Sequence, residues 1–321
     1  MGDEIGRGQY AIVYKAMSIK YNIQFAAKVF DLSRKQSEKL VGTFLAEIKA
    51  LCNLSHPNII SIYDHFVSND YLFLILEYCP DGNLFEYLGK NGKLGEDKSI
   101  LIFRQLLETL SFMHEKKLCH SDIKPANILI DKYGRLKFSD FGLSAFIDSQ
   151  ELKTEFIGSF LFMAPEQILK KAFDPMKADV WSLGVTFYMM MTGESPWPYN
   201  SKSVLEKAII SGMYQIPENI STPYAILFSK MLQVDPKKRM SVDDLLKLPL
   251  FNQYHISSKS EGYIGKLIPP PPLRKPPQSF TINKPTYQQN KAISFESHRS
   301  FMGRLSILDL SKKRKKPKLI L

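Results

Sequence analysis

Between residues 37 and 54 the chain reads SEKLVGTFLAEIKALCNL, with Leu40, Phe44, Ile48 and Leu51 recurring every three or four positions. That period places them along one side of a helix. The neighbouring segments follow a different rhythm. IGRGQYAIVYKA (5–16) has Gly6 and Gly8 followed by alternating residues, a strand–turn–strand pattern, and QFAAKVF (24–30) is a short strand. YLFLILEY (71–78) closes this region as a buried strand. After Asp81-Gly82 the period lengthens. DKSILIFRQLLETLSFMHEK carries Ile100, Phe103, Leu107 and Leu110 on one face, which predicts a helix capped by Asp97 and ending near Lys117. KADVWSLGVTFYMMM is apolar nearly all round and predicts a core helix. A strand-rich front and a helical back together predict an α+β protein of two lobes.

Past Phe251 the pattern fades. IPPPPLRKPP (268–277) is a polyproline stretch, and Ser, Asn and Gln dominate until a basic end, so 257–321 is expected to be a disordered tail. Charge sharpens this division. The net charge of +11 lies wholly in residues 257–321, which hold 14 Lys and Arg against 3 Asp and Glu, while 1–256 balance 29 against 29. The basic character therefore belongs to the tail, and nucleic-acid binding by the folded body is not indicated. The cluster SKKRKKPK (311–318) has four readings: a solvated end, a nuclear import signal, a membrane contact or a nucleic-acid contact. FMGRLSILDL (301–310) has the make-up of a segment that folds on a regulator, and Ser300 and Ser306, each near an Arg, are candidate phosphoacceptors.

No apolar run is long enough to cross a bilayer, and MGDEIGRGQY has no apolar signal region. Cys52, Cys79 and Cys119 are scattered and odd in number, which predicts reduced, buried thiols. The six histidines show no metal-ligand spacing. The expected location is the cytoplasm, with the nucleus open through the basic cluster, and the expected state is a monomer.

Several polar residues stand where burial makes them costly. Lys28 lies in an apolar strand, where an ammonium needs a partner, and Glu47 on the following helix is its natural counter-charge. HSDIKPANILI (120–130) and SDFG (139–142) then supply Asp122, Lys124, Asn127 and Asp140 within one short stretch. Moving the terminal phosphoryl group of a nucleoside triphosphate needs a phosphate cover, a cation, a divalent metal and a carboxylate near the acceptor hydroxyl. Gly6-Arg7-Gly8-Gln9-Tyr10-Ala11-Ile12-Val13 is the candidate cover, its small residues letting backbone N–H groups approach phosphate. Asp122 would orient the acceptor and take its proton, and Lys124 would neutralise the transferring group. Asn127 and Asp140 would offer hard oxygen ligands to Mg²⁺.

Taken in order, IGRGQYAIV, AAKVF, Glu47, HSDIKPAN, DFG, MAPE, DVWSLGV and DPKKRMSVDDLL resemble a eukaryotic protein kinase over roughly residues 1–256. Lys124 and GSFLFMAPE resemble the serine/threonine type. EYCPDGNLFEYL and DPKKRMSVDDLL are similar to the calmodulin-dependent-kinase-like group. The resemblance implies a small lobe over about 1–76, a hinge over about 77–82 and a larger lobe over about 83–256. ATP with Mg²⁺ would lie between the lobes, and protein serines and threonines would be the substrates. It implies that Ile5 and the glycine segment cover the phosphates, and that Val13, Ala26 and Leu129 sandwich adenine. Leu76 would be the gatekeeper, and the backbone of Glu77 and Cys79 would bond adenine. Leu51, Ile62, His120 and Phe141 would form an apolar column between the lobes, and Glu166 would pair with Arg239.

The chain also departs from the family. Ala11 replaces the third glycine of the cover. Ser121 replaces the arginine that precedes the catalytic aspartate and pairs with a phosphorylated activation segment. Glu155 stands at the usual phosphorylated position, with Thr154 beside it, and Ala145 replaces a basic residue after DFG. Activation-segment phosphorylation is therefore not expected to be the switch, the segment being ordered by Phe156, Phe160 and Phe162 or by a partner. Asn83 and Ala126 replace the acids that grip an upstream arginine, and Phe156, Phe160 and Met163 are expected to line an apolar pocket for the residue after the acceptor. Two rivals remain: a pseudokinase scaffold, against which Lys28, Asp122 and Asp140 argue, and a small-molecule kinase, against which Pro165-Glu166 argue.

Overall fold

The alternation around the first glycines folds as two strands, β1 (Glu4–Arg7) and β2 (Ile12–Ser18), joined by a turn in which the Gly8 N–H donates to the Ala11 carbonyl at 2.9 Å. The computed structural model describes residues 2–19, 22–33, 37–147, 159–198 and 200–252. β3 (Ile23–Asp31), β4 (Ile62–Ser68) and β5 (Tyr71–Glu77) complete a five-stranded antiparallel sheet in the order β1-β2-β3-β5-β4. Register decides which side chains share a face: Ala26, Lys28 and Phe30 stand opposite Leu76, Leu74 and Leu72. Helix α1 (Ser37–Asn53) covers that face, with Phe44 edge-on to Phe30 at 5.6 Å. The periodic residues Leu40, Phe44 and Leu51 are buried, and Ile48 packs beside them. A bulge between Ile62 and Asp64 breaks the alternation of β4, which is why the hydrophobic pattern did not mark that strand.

After β5 the chain becomes helical. The helices α2 (Leu84–Asn91), α3 (Glu96–Glu115) and α5 (Pro175–Thr192) form the frame of the second half, with the short α4 (Pro165–Ile168) between the last two. Completing it are α6 (Lys202–Ser211), α7 (Thr222–Met231), α8 (Val242–Leu246) and α9 (Pro249–Asn252). This is the two-lobed α+β architecture that the sequence predicted. Two end effects differ from expectation. Gly95, not Asp97, occupies the N-cap of α3; Asp97 lies in the first turn, where its charge favours the positive helix end. That helix stops at Glu115, and Lys117 turns the chain with φ 58°. α5 is buried along most of its length, as its all-round apolar pattern requires, with Asp174 capping the Met176 N–H and Pro175 in the first turn.

Two small two-stranded antiparallel sheets follow, of which β7–β8 is a hairpin. β7 (Ile128–Ile130) pairs with β8 (Leu136–Phe138), and β6 (Leu118–Cys119) pairs with β9 (Ala145–Phe146). Cys119 is buried and Cys79 partly so, but Cys52 is exposed, which corrects the expectation of three buried thiols; it occupies a solvent-facing position near the end of α1. Among the described residues no helix is long and apolar enough to cross a membrane. Thr154, Glu155, Phe156 and the tail 257–321 lie outside the described residues.

The buried pair Glu166–Arg239 anchors α4 to the second lobe. Arg239 forks onto both carboxylate oxygens at 2.7 and 2.9 Å, donates to the carbonyls of Gln233 and Lys177, and lies 5.0 Å over the Trp181 ring. Removing one member strands a charge in the interior. Arg239→Ala is expected to lower the free energy of urea unfolding by about 3–5 kcal/mol; a loss below about 1 kcal/mol, the range of an exposed pair, would show that Glu166 reaches solvent.

Candidate active site

Lys28 projects from β3 into the space beside α1, only 12% of its side chain exposed. Its Nζ donates to Glu47 Oε2 at 2.6 Å and to Asp140 Oδ1 at 2.8 Å. Three separate elements thus meet at one ammonium. Burial pulls the Lys28 pKa down, yet the Glu47 and Asp140 carboxylates outweigh it and hold the group above its ordinary range. In turn, the Lys28 charge holds Asp140 below the usual carboxylate range against partial burial. Both groups therefore remain ionised across the neutral range. Glu47 is fully buried, and among the described residues its Oε1 has no hydrogen-bond partner.

The approach of α1 depends on Gly142. A Cβ there would lie 2.6 Å from Thr43 Cγ2 on α1, inside any allowed contact. The glycine after Asp140-Phe141 is thus what lets Glu47 reach Lys28. Phe141 is itself buried, its ring 4.7 Å from His120, so Asp140 turns outward at φ 61° while the next side chain anchors inward.

The β7–β8 hairpin brings the remaining polar groups together. Asn127 precedes β7 and Ser139 follows β8, and the Asn127 carbonyl accepts from both the Ser139 N–H and Oγ at 2.9 Å. Asn127 and Asp140 are thereby held at the same end of one hairpin. Asn127 Nδ2 donates to the Asp122 carbonyl and to Asp122 Oδ2, both at 2.9 Å, which leaves its Oδ1 as the end that could meet a metal. Lys124 Nζ donates to Asp122 Oδ2 and to Ser159 Oγ, both at 2.7 Å, and the Ser159 N–H donates to Asp122 Oδ1 at 3.1 Å. The Asp122 carboxylate is therefore fixed from several directions.

Below it, Asp179 of α5 receives the His120 and Ser121 N–H groups, each at 2.9 Å. Ser121 needs this support, because its φ of 68° is unfavourable for a residue with a Cβ. Asp179 opens the DVWSLGV motif, but the motif reading gave it no role of its own. A carboxylate in the second turn of a largely apolar helix was the available signal, since a buried charge requires partners.

The glycine segment fits a phosphate cover. A Cβ on Gly6 would meet nothing closer than 3.8 Å, and on Gly8 nothing closer than 3.6 Å. The fold itself therefore does not demand glycine at either position, although glycine weakens a strand; the vacant space suits a ligand approaching the backbone. Ala11, at the third glycine position, is buried. Arg7 is bonded by Glu4 at 2.9 and 2.5 Å and stays exposed, while Tyr10 lies under Lys39 of α1 at 5.2 Å. Ile5 is exposed and Gln9 is solvent-facing. Ala26 belongs to the main core, with Val13, Leu129 and Cys79 packed against it. At the hinge Lys137 bonds Glu77 at 3.1 Å and the Pro57 carbonyl at 2.8 Å.

A small recess beside Asp122 is lined by Phe162 and Met163 with Ser121, Ser159 and Gln167. Phe160 opens the short 3-10 turn Phe160–Phe162, with Lys202 Nζ 5.2 Å from its ring. Asn83 caps α2, its Oδ1 accepting the Glu86 N–H at 2.9 Å, and offers no carboxylate to an upstream arginine.

A lysine shared by a helix carboxylate and a loop carboxylate, beside an Asp–Lys–Asn loop, is the arrangement that decides the family. A family profile described as the protein kinase domain matches residues 1–251. The chain belongs to the protein kinase family. It is 37% identical over 255 residues to a maternal embryonic leucine zipper kinase of Xenopus tropicalis, covering 78% of this chain and 38% of that one. It is 33% identical over 256 residues to CBL-interacting serine/threonine-protein kinase 12 of Arabidopsis thaliana, covering 79% and 52%. It is 38% identical over 252 residues to serine/threonine-protein kinase atg1 of Dictyostelium discoideum, covering 75% and 37%. The chain thus spans between 37% and 52% of the length of these relatives. Relatives named as serine/threonine kinases agree with the type that Lys124 and GSFLFMAPE suggested.

In this kinase, Gly142→Ala is expected to push α1 outward and separate Glu47 from Lys28, lowering kcat/KM for phosphoryl transfer. Thr43→Ser removes the obstructing methyl but keeps the hydroxyl that donates to the Lys39 carbonyl at 3.0 Å. The G142A/T43S pair should therefore recover activity that G142A alone loses. Equal activity of the single and double variants would show that Thr43 is not the obstacle.

Proposed function

We propose that this chain transfers the terminal phosphoryl group of ATP, bound with Mg²⁺, to serine and threonine hydroxyls of protein substrates. The observation that carries the reading is Lys28 joined at once to Glu47 and Asp140, beside an Asp122 oriented by Asn127 and Lys124. Lys28 is charged and held in place by Glu47 and Asp140; its role is to grip phosphate oxygens. Asn127 and Asp140 are the residues for the metal, whose chemistry is to neutralise phosphate charge. The hard oxygens of an amide and an ionised carboxylate suit Mg²⁺. Asp122 orients the acceptor hydroxyl and receives its proton, and Lys124, already shared between Asp122 and Ser159, faces the group in transfer. The backbone of Glu77 and Cys79 with the apolar faces of Val13, Ala26 and Leu129 forms the adenine site. Loss of catalysis, as in a pseudokinase, typically removes the strand lysine or one of the aspartates, and all are present here.

We infer further that phosphorylation of Thr154 is not the on-switch. The position that would carry a phosphate-binding arginine is Ser121, whose short hydroxyl side chain offers no guanidinium fork, and Ala145, paired with Cys119 between β9 and β6, carries no charge. Phe162 and Met163 favour an apolar residue after the acceptor. The protein is read as a cytoplasmic monomer, with 311–318 as the segment that an import receptor or regulator would grip.

Asp122→Asn is expected to reduce phosphate incorporation into a generic protein substrate by about 10²-fold or more, the typical contribution of a positioned base. In the same radiometric assay Thr154→Ala should retain most wild-type activity. Activity abolished by T154A and restored by T154E would overturn the second inference while leaving the first intact.

A further inference from the structure

The histidines show no metal-ligand spacing along the chain, but the fold brings one of them beside two other candidate ligands. His114 near the end of α3, Cys119 in β6 and Asp179 in α5 bring one ligand atom each within 4.8 Å of one another. His114 Nε2 and Asp179 Oδ2 are already 3.2 Å apart. Around a tetrahedral zinc ion, N, O and S ligands stand about 3.3–3.6 Å from each other, so the widest pair of the triad must draw in by up to roughly 1.3 Å. Cys119 and Asp179 are buried, and the His114 side chain, 11% exposed, is the member nearest solvent. The carboxylate is also supported from behind, since Asp179 Oδ1 accepts the Ser121 N–H; such outer contacts orient metal ligands.

We propose that His114, Cys119 and Asp179 form a second metal site, selective for a zinc-class ion and distinct from the Asn127–Asp140 pair that suits Mg²⁺. A thiolate–imidazole–carboxylate set is too soft for Mg²⁺ and matches Zn²⁺. Binding is a ligand exchange without redox change. The Cys119 thiol releases its proton to solvent and forms the metal–sulfur bond. His114, whose Nε2–H donates to the acceptor-only Asp179 carboxylate, releases that proton to solvent, takes one up on Nδ1 and donates the freed Nε2 lone pair to the metal. Asp179 Oδ2 turns from the His120 N–H towards the ion. The segment that begins with that amide carries Asp122 two residues later, so occupancy slows phosphoryl transfer. The coupling part rests on the kinase reading; the binding part does not.

Titrating the full chain with Co²⁺ in the absence of nucleotide tests the site directly. One equivalent should give a thiolate-to-cobalt charge-transfer band that Zn²⁺ displaces. Cys119→Val should abolish the band, and His114→Gln should weaken Zn²⁺ binding about 10-fold or more, since even outer-shell losses cost that much. A Cys52→Ser/Cys79→Ser variant, whose remaining thiol is Cys119, should keep the band whether or not C119V folds well. No band in the wild type, or a band lost in C52S/C79S, would overturn the site. In Mg²⁺–ATP assays, Zn²⁺ should lower kcat of the wild type at concentrations that leave C119V unaffected, with KM for ATP unchanged. Equal inhibition of both would overturn the coupling and leave the binding result standing.

Discussion

A lysine ammonium inside an apolar lobe is costly unless charge meets it, and Lys28 is met twice. Glu47 comes from a helix packed on the sheet, and Asp140 from a loop of the other lobe. The ammonium can therefore be satisfied only when sheet, helix and lower loop occupy one arrangement. This couples the geometry of the small lobe to that of the loop carrying Asp140. Gly142 contributes by absence: α1 comes close because no side chain stands in its way.

A second constraint acts on the backbone. The His120–Asp122 segment includes a serine in the left-handed region, a conformation that it does not favour in isolation. Asp179 holds it by taking two successive amides, and Asn127 and Lys124 then fix the Asp122 carboxylate. In this scheme the residue before Asp122 contributes its amide to Asp179. That explains how serine stands there without loss of order among Asp122, Lys124 and Asn127. The same Asp179 faces His114 and Cys119, so the support of the loop and the zinc-class site share one carboxylate.

Much of the fold was legible because period and burial agree. Leu40, Phe44 and Leu51 mark the buried side of α1, and the all-round apolar α5 is buried. Lys28 and Glu47 were legible because charge in an apolar pattern demands a partner. Other features were hidden for definite reasons. The bulge in β4 disrupts the period of two, and Gly95 caps α3 without a side-chain signal. Cys52 followed the hydrophobic tendency of its residue type in expectation, yet faces solvent near the end of α1.

The sequence by itself determined which chemistry is present: an ammonium, carboxylates and an amide in a fixed order, on elements whose type follows from local periodicity. It also determined that the basic charge lies in the tail, since charge is additive along a chain. Only the tertiary structure decided which groups meet. Glu47 and Asp140 converge on Lys28 across 19 and 112 residues, and Asp179 reaches the His120 amide across 59. Such meetings depend on strand register, helix approach and backbone handedness together. No local window of sequence contains them, because hydrogen bonds and ion pairs act over a few ångströms of space regardless of the length of chain between the partners.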